Sequence, residues 1–344
     1  MAEINLVSQA EQRLAAGDPA AALSLYLQVW NRPDDEVADR IDDLVLAWGD
    51  TGTALEIMET AATGGNAGAY EAMSALLVEL DRPEEALTAL RKAADRGRDV
   101  TLRIASVLAD ELGDRERAET YYRQALTDDD PQALNDYGAF LSEDDDRLDE
   151  AADLLRRAIR QGDDMAAGNL GRLLVDEEKY EEALPWLRQA LANGYRSVLP
   201  VLGEAEHALG DTEAAGAHLR EAVAERIPES HFPYALYLAD TGSPREAIAH
   251  YEAAAEEDGE INAYLNLALL HEELEQWEAA DRRYRDAMEH RDEVAFVSYA
   301  QYLADRGRSG EIAALLAPAA ELGLDAEDMA ELRELAAGSG PGGR

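Results

Sequence analysis

Small apolar residues return along this chain every 32 or 33 positions. One column runs Ala22, Ala54, Ala86, Ala118, Ala151, Ala183, Ala215, Ala247, Ala280 and Ile312. Four residues beyond each member stands a large side chain: Tyr26, Met58, Leu90, Tyr122, Leu155, Leu187, Leu219, Tyr251, Tyr284 and Leu316. Seven residues beyond comes a third column, Val29, Ala61, Ala93, Ala125, Ala158, Ala190, Ala222, Ala254, Ala287 and Ala319. Offsets of four and seven lie on one face of an α-helix. Twelve residues upstream of the first column, thirteen in the fifth repeat, a further column of mostly small residues marks a preceding helix: Ala10, Asp42, Ser74, Ser106, Gly138, Gly171, Gly203, Ala235, Ala268 and Ala300. Two antiparallel helices approach closely only where side chains are small, and the bulky residue one turn along fills the adjoining groove. Helices of about a dozen residues are marginal in water, so each pair must gain stability by stacking on its neighbours.

Between the paired helices the chain carries Gly17, Gly49, Gly113, Gly210, Gly242 and Gly307, four of them followed by aspartate, in Gly17-Asp18, Gly49-Asp50, Gly113-Asp114 and Gly210-Asp211. The glycine suits a left-handed helix end, and the aspartate suits the N-cap of the next helix. Extra residues fall in the turn Glu143–Arg147 and the link Glu256–Glu260. Pro200 and Pro233 sit near the starts of two first helices, which should therefore begin late. After Ala319 the columns stop. Residues 325–337 read as a closing helix with Met329, Leu332 and Leu335 inward and acids outward, and residues 338–344 as a disordered Gly-rich tail.

These columns resemble the tetratricopeptide repeat family over residues 3 to 324: the small eighth residue, the turn glycine, the alanine with a large residue four later and the second alanine seven later. The period is 32 where that family's usual value is 34, and links such as Ala93–Gly97 and Ala158–Gly162 are similar to those of its Sel-like relatives. The resemblance implies an all-α, right-handed superhelical solenoid of ten helix-turn-helix repeats over residues 1–324, closed by the capping helix.

It also implies a site. In that family the first helices line a concave face, and set positions of each meet the ligand. By register those positions hold Glu11, Glu36, Asp39, Asp43, Glu71, Glu79, Asp110, Glu111, Glu143, Asp176, Glu204, Glu229, Asp240, Glu272, Glu273 and Asp305, against only Arg103 and Arg172. The whole chain is less one-sided, with 73 Asp and Glu against 31 Lys and Arg. A concave wall of one sign attracts the other sign, although charge runs also mark faces that simply meet water. Toward the C-terminus the same register adds Phe232, Leu236, Leu265, Leu269, Val294 and Val297 beside Glu229, Asp240, Glu272 and Glu273. Apolar anchors ringed by acids suit an amphipathic segment with basic flanks. The alternative is that these residues pack against neighbouring helices. His207 joins the candidates beside Glu204, and Asn135, Asn169 and Asn266 occupy places where family members bond a peptide backbone. The lysines with which some relatives clamp a chaperone's C-terminal carboxylate have no counterpart here.

Composition narrows the partner. A net charge of -42 repels a nucleic-acid backbone and attracts a basic protein or peptide. With no cysteine, disulfides and thiolate metal sites are excluded. The six histidines show no pair at the i, i+4 spacing of a helical zinc site, and the Asp runs at 128–130 and 144–146 lack the glycine and final glutamate of a calcium loop. No nucleophile motif or phosphate-binding loop appears. No apolar run reaches the roughly 18 residues of a membrane span, and the N-terminus lacks a basic start followed by an apolar core. The expectation is a non-enzymatic cytoplasmic scaffold without cofactor or metal, holding a basic or amphipathic protein segment. A peptide-sensing regulator and a self-associating component are the alternatives.

Overall fold

The structure, a computed structural model, describes residues 2–30, 35–126 and 130–338, with the side chains of residues 2–5, 35 and 36 left aside. Among these residues there is no β-strand and helices predominate, and the chain divides into two compact units, Met1–Ala166 and Ala167–Arg344. In the first unit helices pair as Ala2–Ala15 with Pro19–Val29, Asp35–Trp48 with Thr51–Thr63, and Gly68–Glu79 with Pro83–Ala94. Thr101–Ser106 continues as a wider π-helical turn, Val107–Glu111, and pairs with Arg115–Ala125; Pro131–Leu141 pairs with Leu148–Gln161. The second unit runs Ala166–Asp176, Tyr180–Ala192, Leu199–Ala208, Thr212–Ala224, His231–Asp240, Pro244–Glu256, Asn262–Glu273, Trp277–Glu289 and Glu293–Asp305, then a broken helix over 309–322 and a last helix, Ala326–Ala336.

The recurring columns are the core. Every member of the first column, Ala22 through Ile312, has no accessible surface. Gly138, Gly171 and Gly203 show why the upstream column is small. A Cβ at Gly171 would lie 2.6 Å from Leu187 Cγ, at Gly203 2.5 Å from Leu219 Cγ, and at Gly138 2.8 Å from Leu155 Cγ. Each of those leucines belongs to the large column, and each is fully buried. Burying such a side chain contributes about 1.5–3 kcal/mol, which is how short helices with little intrinsic stability hold together.

Turn chemistry follows the sequence. Gly17, Gly49, Gly113 and Gly210 take φ between +61° and +81°. The aspartate after each accepts a backbone N–H two or three residues into the next helix: Asp18 from Ala21, Asp50 from Thr53, Asp114 from Arg117 and Asp211 from Ala214. Asp81, Glu178 and Glu275 hold the equivalent left-handed position without glycine. Pro200 enters at the opening of Leu199–Ala208, after a 3-10 turn at Arg196–Val198, so that helix does begin late. In the last helix Asp325 caps the N–H groups of Glu327 and Asp328, and Met329, Leu332 and Leu335 are buried against Leu303 and Ile312. Residues 339–344 of the expected tail, and Asp128 and Asp129, lie outside the described residues.

A tyrosine-centred ion network appears in each unit. Tyr137 donates to Glu119 (2.8 Å) and accepts from Arg123, while Arg147 pairs with Glu119 and Glu150. Tyr299 donates to Asp281 (2.8 Å) and accepts from Arg285, while Arg308 pairs with Asp281 and Glu311. These networks hold several arginines on carboxylates away from the first-helix grooves described next.

Candidate functional site

In the N-terminal unit the first helices Asp35–Trp48, Gly68–Glu79, Thr101–Ser106 and Pro131–Leu141, with the π-helical turn, wall a concavity of about 480 Å³ floored by Trp30 and Met58. Its apolar side includes Val45, Leu76, Leu102 and Leu46, the last 68% exposed. Its polar side includes Asp42, Glu79 and Asp136, with Arg103 among them. Asp42 keeps access to water but stands inside a curved wall of protein that excludes enough solvent to raise its carboxyl above the ordinary range. Arg103 opposes that shift, and Asp39, Glu79 and Asp43 add to it. Asp136 is half-buried and pushed up to about 6, first by desolvation and then by the charges of Asp163, Asp130 and Asp110, against a hydrogen bond from the Asn135 amide. Among the described residues none of Asp42, Glu79 and Asp136 forms an ion pair, and Arg103 leans instead toward Glu71 at 3.6 Å.

Glu71 departs from the sequence expectation. It is not a groove acid but is 5% exposed and bound to Arg98. A buried carboxylate needs a partner, and Arg98, on the link before Thr101, supplies it. Asn135 is buried, with its Nδ2 donating to Asp136 Oδ1 at 3.2 Å. Asp39 is exposed; Asp43 borders a neighbouring hollow of about 540 Å³ with Tyr26, Arg40 and Trp48. The side chain of Glu36 lies outside the described residues.

In the C-terminal unit several expected site residues meet one another. His207 Nε2 lies 3.0 Å from Asp240 Oδ2, with its ring edge-on to Tyr237. Glu229 pairs with Arg172 at 3.3 Å. Glu204, open to water yet crowded by protein, is raised by desolvation and by Asp176, while Arg172 opposes. Asn169 is half-buried. Phe232 and Leu236 are half-buried against the cluster of Tyr234, Tyr251 and Leu267, and the Phe232 ring meets Tyr251 edge to face at 5.7 Å. Leu265 leans on the final core cluster. Asn266 donates to Asn262 O of its own helix. Leu269, Glu272, Glu273 and Val297, by contrast, converge on a hollow of about 570 Å³ together with Asp305 and Glu331.

Three contributors escaped the sequence reading: Leu46, Asp136 and Glu331. Asp42 is the one charged member of the small upstream column. That anomaly was a legible signal for the N-terminal groove. Among the described residues no three His, Asp or Glu side chains converge as metal ligands, and no helix is long and apolar enough to cross a membrane.

Comparison with known proteins places this geometry in context. The tetratricopeptide repeat profile matches residues 105–166, 139–197 and 169–231. No curated protein matches the chain in sequence. Among solved structures, the human IFIT1 dimer with PPP-AAAA aligns at 16% identity over 94% of this chain and 91% of that one, with a TM-score of 0.57. The APC/C hetero-tetramer Cut9–Hcn1 aligns at 12% identity over 96% of this chain and 75% of that one, with a TM-score of 0.58. At these identities the likeness is one of fold.

Proposed function

We propose that this chain, whose residues 105–231 match the tetratricopeptide repeat profile, is a protein-binding scaffold whose N-terminal groove holds a segment of another protein bearing an aliphatic side chain beside a basic one. The observation that carries this reading is the exposed Leu46 wall facing Asp42, Glu79 and Asp136, three carboxylates with no ion-pair partner among the described residues.

Solvent exclusion and neighbouring carboxylates make Asp42 and Asp136 costly to ionise, and an arriving guanidinium or ammonium group removes part of that cost. At about 4 Å and an effective dielectric near 20, one such contact is worth about 4 kcal/mol before the cation's own desolvation is subtracted. Covering a leucine adds about 1.5–3 kcal/mol. Both offset the ordering cost of a flexible segment. In the same groove Asp42, Glu79 and Asp136 outnumber Arg103 and would repel a phosphate chain, so the PPP-AAAA of the IFIT1 complex is not carried over. Arg103, held toward Glu71, can donate to a backbone carbonyl or an acidic residue of the bound segment.

Fluorescence anisotropy with a short Leu/Arg peptide, its Leu/Glu counterpart and a scrambled control tests the reading. The Leu/Arg peptide should bind, and weaken at least tenfold between about 0.1 and 1 M salt, where the screening length falls from roughly 10 to 3 Å. Equal binding of the Leu/Glu peptide, or indifference to salt, removes the proposal.

A further inference from the structure

We propose that the C-terminal unit carries a second docking station of the same chemistry, so that one chain holds two basic, partly apolar segments at once. This rests on the groove reading above for the kind of partner, but on different residues. Leu269, 47% exposed, and half-buried Val297 floor the hollow of about 570 Å³. Glu272 and Glu273 come from the helix Asn262–Glu273, Asp305 from Glu293–Asp305, and Glu331 from the last helix, Ala326–Ala336. Three separate elements thus bring four carboxylates to one apolar floor.

Three nearby arginines are committed elsewhere. Arg285 and Arg308 both pair with Asp281, and Arg306 stacks on Trp277. Among the described residues none of the four carboxylates forms an ion pair; their recorded partners are neutral donors, Tyr284 to Glu272 at 2.8 Å and Gln301 to Asp305 at 3.0 Å. A neutral donor fixes a carboxylate in place without cancelling its charge, which leaves the negative field for a ligand. Charge complementarity therefore selects a basic occupant, and exposed Leu269 selects one with an aliphatic side chain. The last helix, whose apolar face closes the core, takes part in this site through Glu331.

Isothermal titration of the full chain with the monovalent Leu/Arg peptide at low salt decides the matter. The expected result is two sites per chain. Leu269→Asp should remove one of them, and Leu46→Asp the other. Glu331→Gln, on an exposed face where folding is not at risk, should weaken the second site about two- to fivefold, the usual worth of one exposed charge. One site per chain, lost with Leu46→Asp and untouched by Leu269→Asp and Glu331→Gln, overturns this inference and leaves the N-terminal groove standing. One site lost only with Leu269→Asp overturns the groove reading and leaves this one. No binding at either overturns both.

Discussion

The two units place acids at the same register positions of their first helices, yet the acids end in different states. In the N-terminal groove Asp42, Glu79 and Asp136 stand together with no ion-pair cation among the described residues, and Asp42 and Asp136 are raised by desolvation and by one another's neighbours. In the C-terminal unit Asp240 faces His207 and Glu229 faces Arg172. Around Leu269 that unit keeps a group of carboxylates, two of them held by neutral donors. A groove acid is thus available to a partner only where the fold supplies no internal cation, and net acidity alone does not identify such places.

The most severe way to break the comparison is to disturb one unit and ask whether the other notices. Gly203→Leu drives a side chain into Leu219 and should cost about 1–3 kcal/mol or more, seen as a lower melting temperature in thermal denaturation. Peptide binding at the N-terminal groove, measured below the transition, should persist. An unchanged melt would mean that the hairpin register is wrong.

Leu46→Asp should lower affinity at the N-terminal groove at least tenfold with the melting temperature unchanged, because the side chain it replaces is largely exposed. Retained affinity would move the anchor elsewhere.

Asp136→Asn sharpens the electrostatic side. Its carboxyl is pushed up to about 6 in the folded chain, above the ordinary Asp value near 4. The folded state therefore holds this proton more tightly than the unfolded chain does. Stability from this group declines as pH rises from about 4 to about 6 and then stays level, so the Asn variant should melt higher than the parent at neutral pH. A cationic ligand needs the ionised form, so parental affinity should fall as pH drops through about 6, and the variant should be several-fold weaker at neutral pH with less pH dependence. A variant that binds as tightly as the parent would dismiss Asp136 from the site.

The smallest effect is expected at Glu229. Because Arg172 already pairs with it, Glu229→Gln should change peptide affinity less than about twofold. A larger loss by titration would show that this acid is available after all, and the contrast between the units would narrow.

The hairpins, their closest approaches and their turns were legible in the chain because they depend on residues near one another in sequence or repeated at a fixed spacing. Ala215 and Leu219 mark a helix face by themselves, Gly203 follows from the same period, and Asp211 caps a helix that begins at the next residue. Which acids remain available was not legible. Glu71 meets Arg98 across 27 positions, His207 meets Asp240 across 33, and Arg172 meets Glu229 across 57, joining segments far apart in the chain. Coulomb energy and desolvation depend on distance through space and on how much water is excluded, and neither exists until the helices have packed. The amino-acid order determined a repeating series of helical pairs rich in acids; tertiary structure alone decided which of those acids are neutralised from within and which are left without an internal cation.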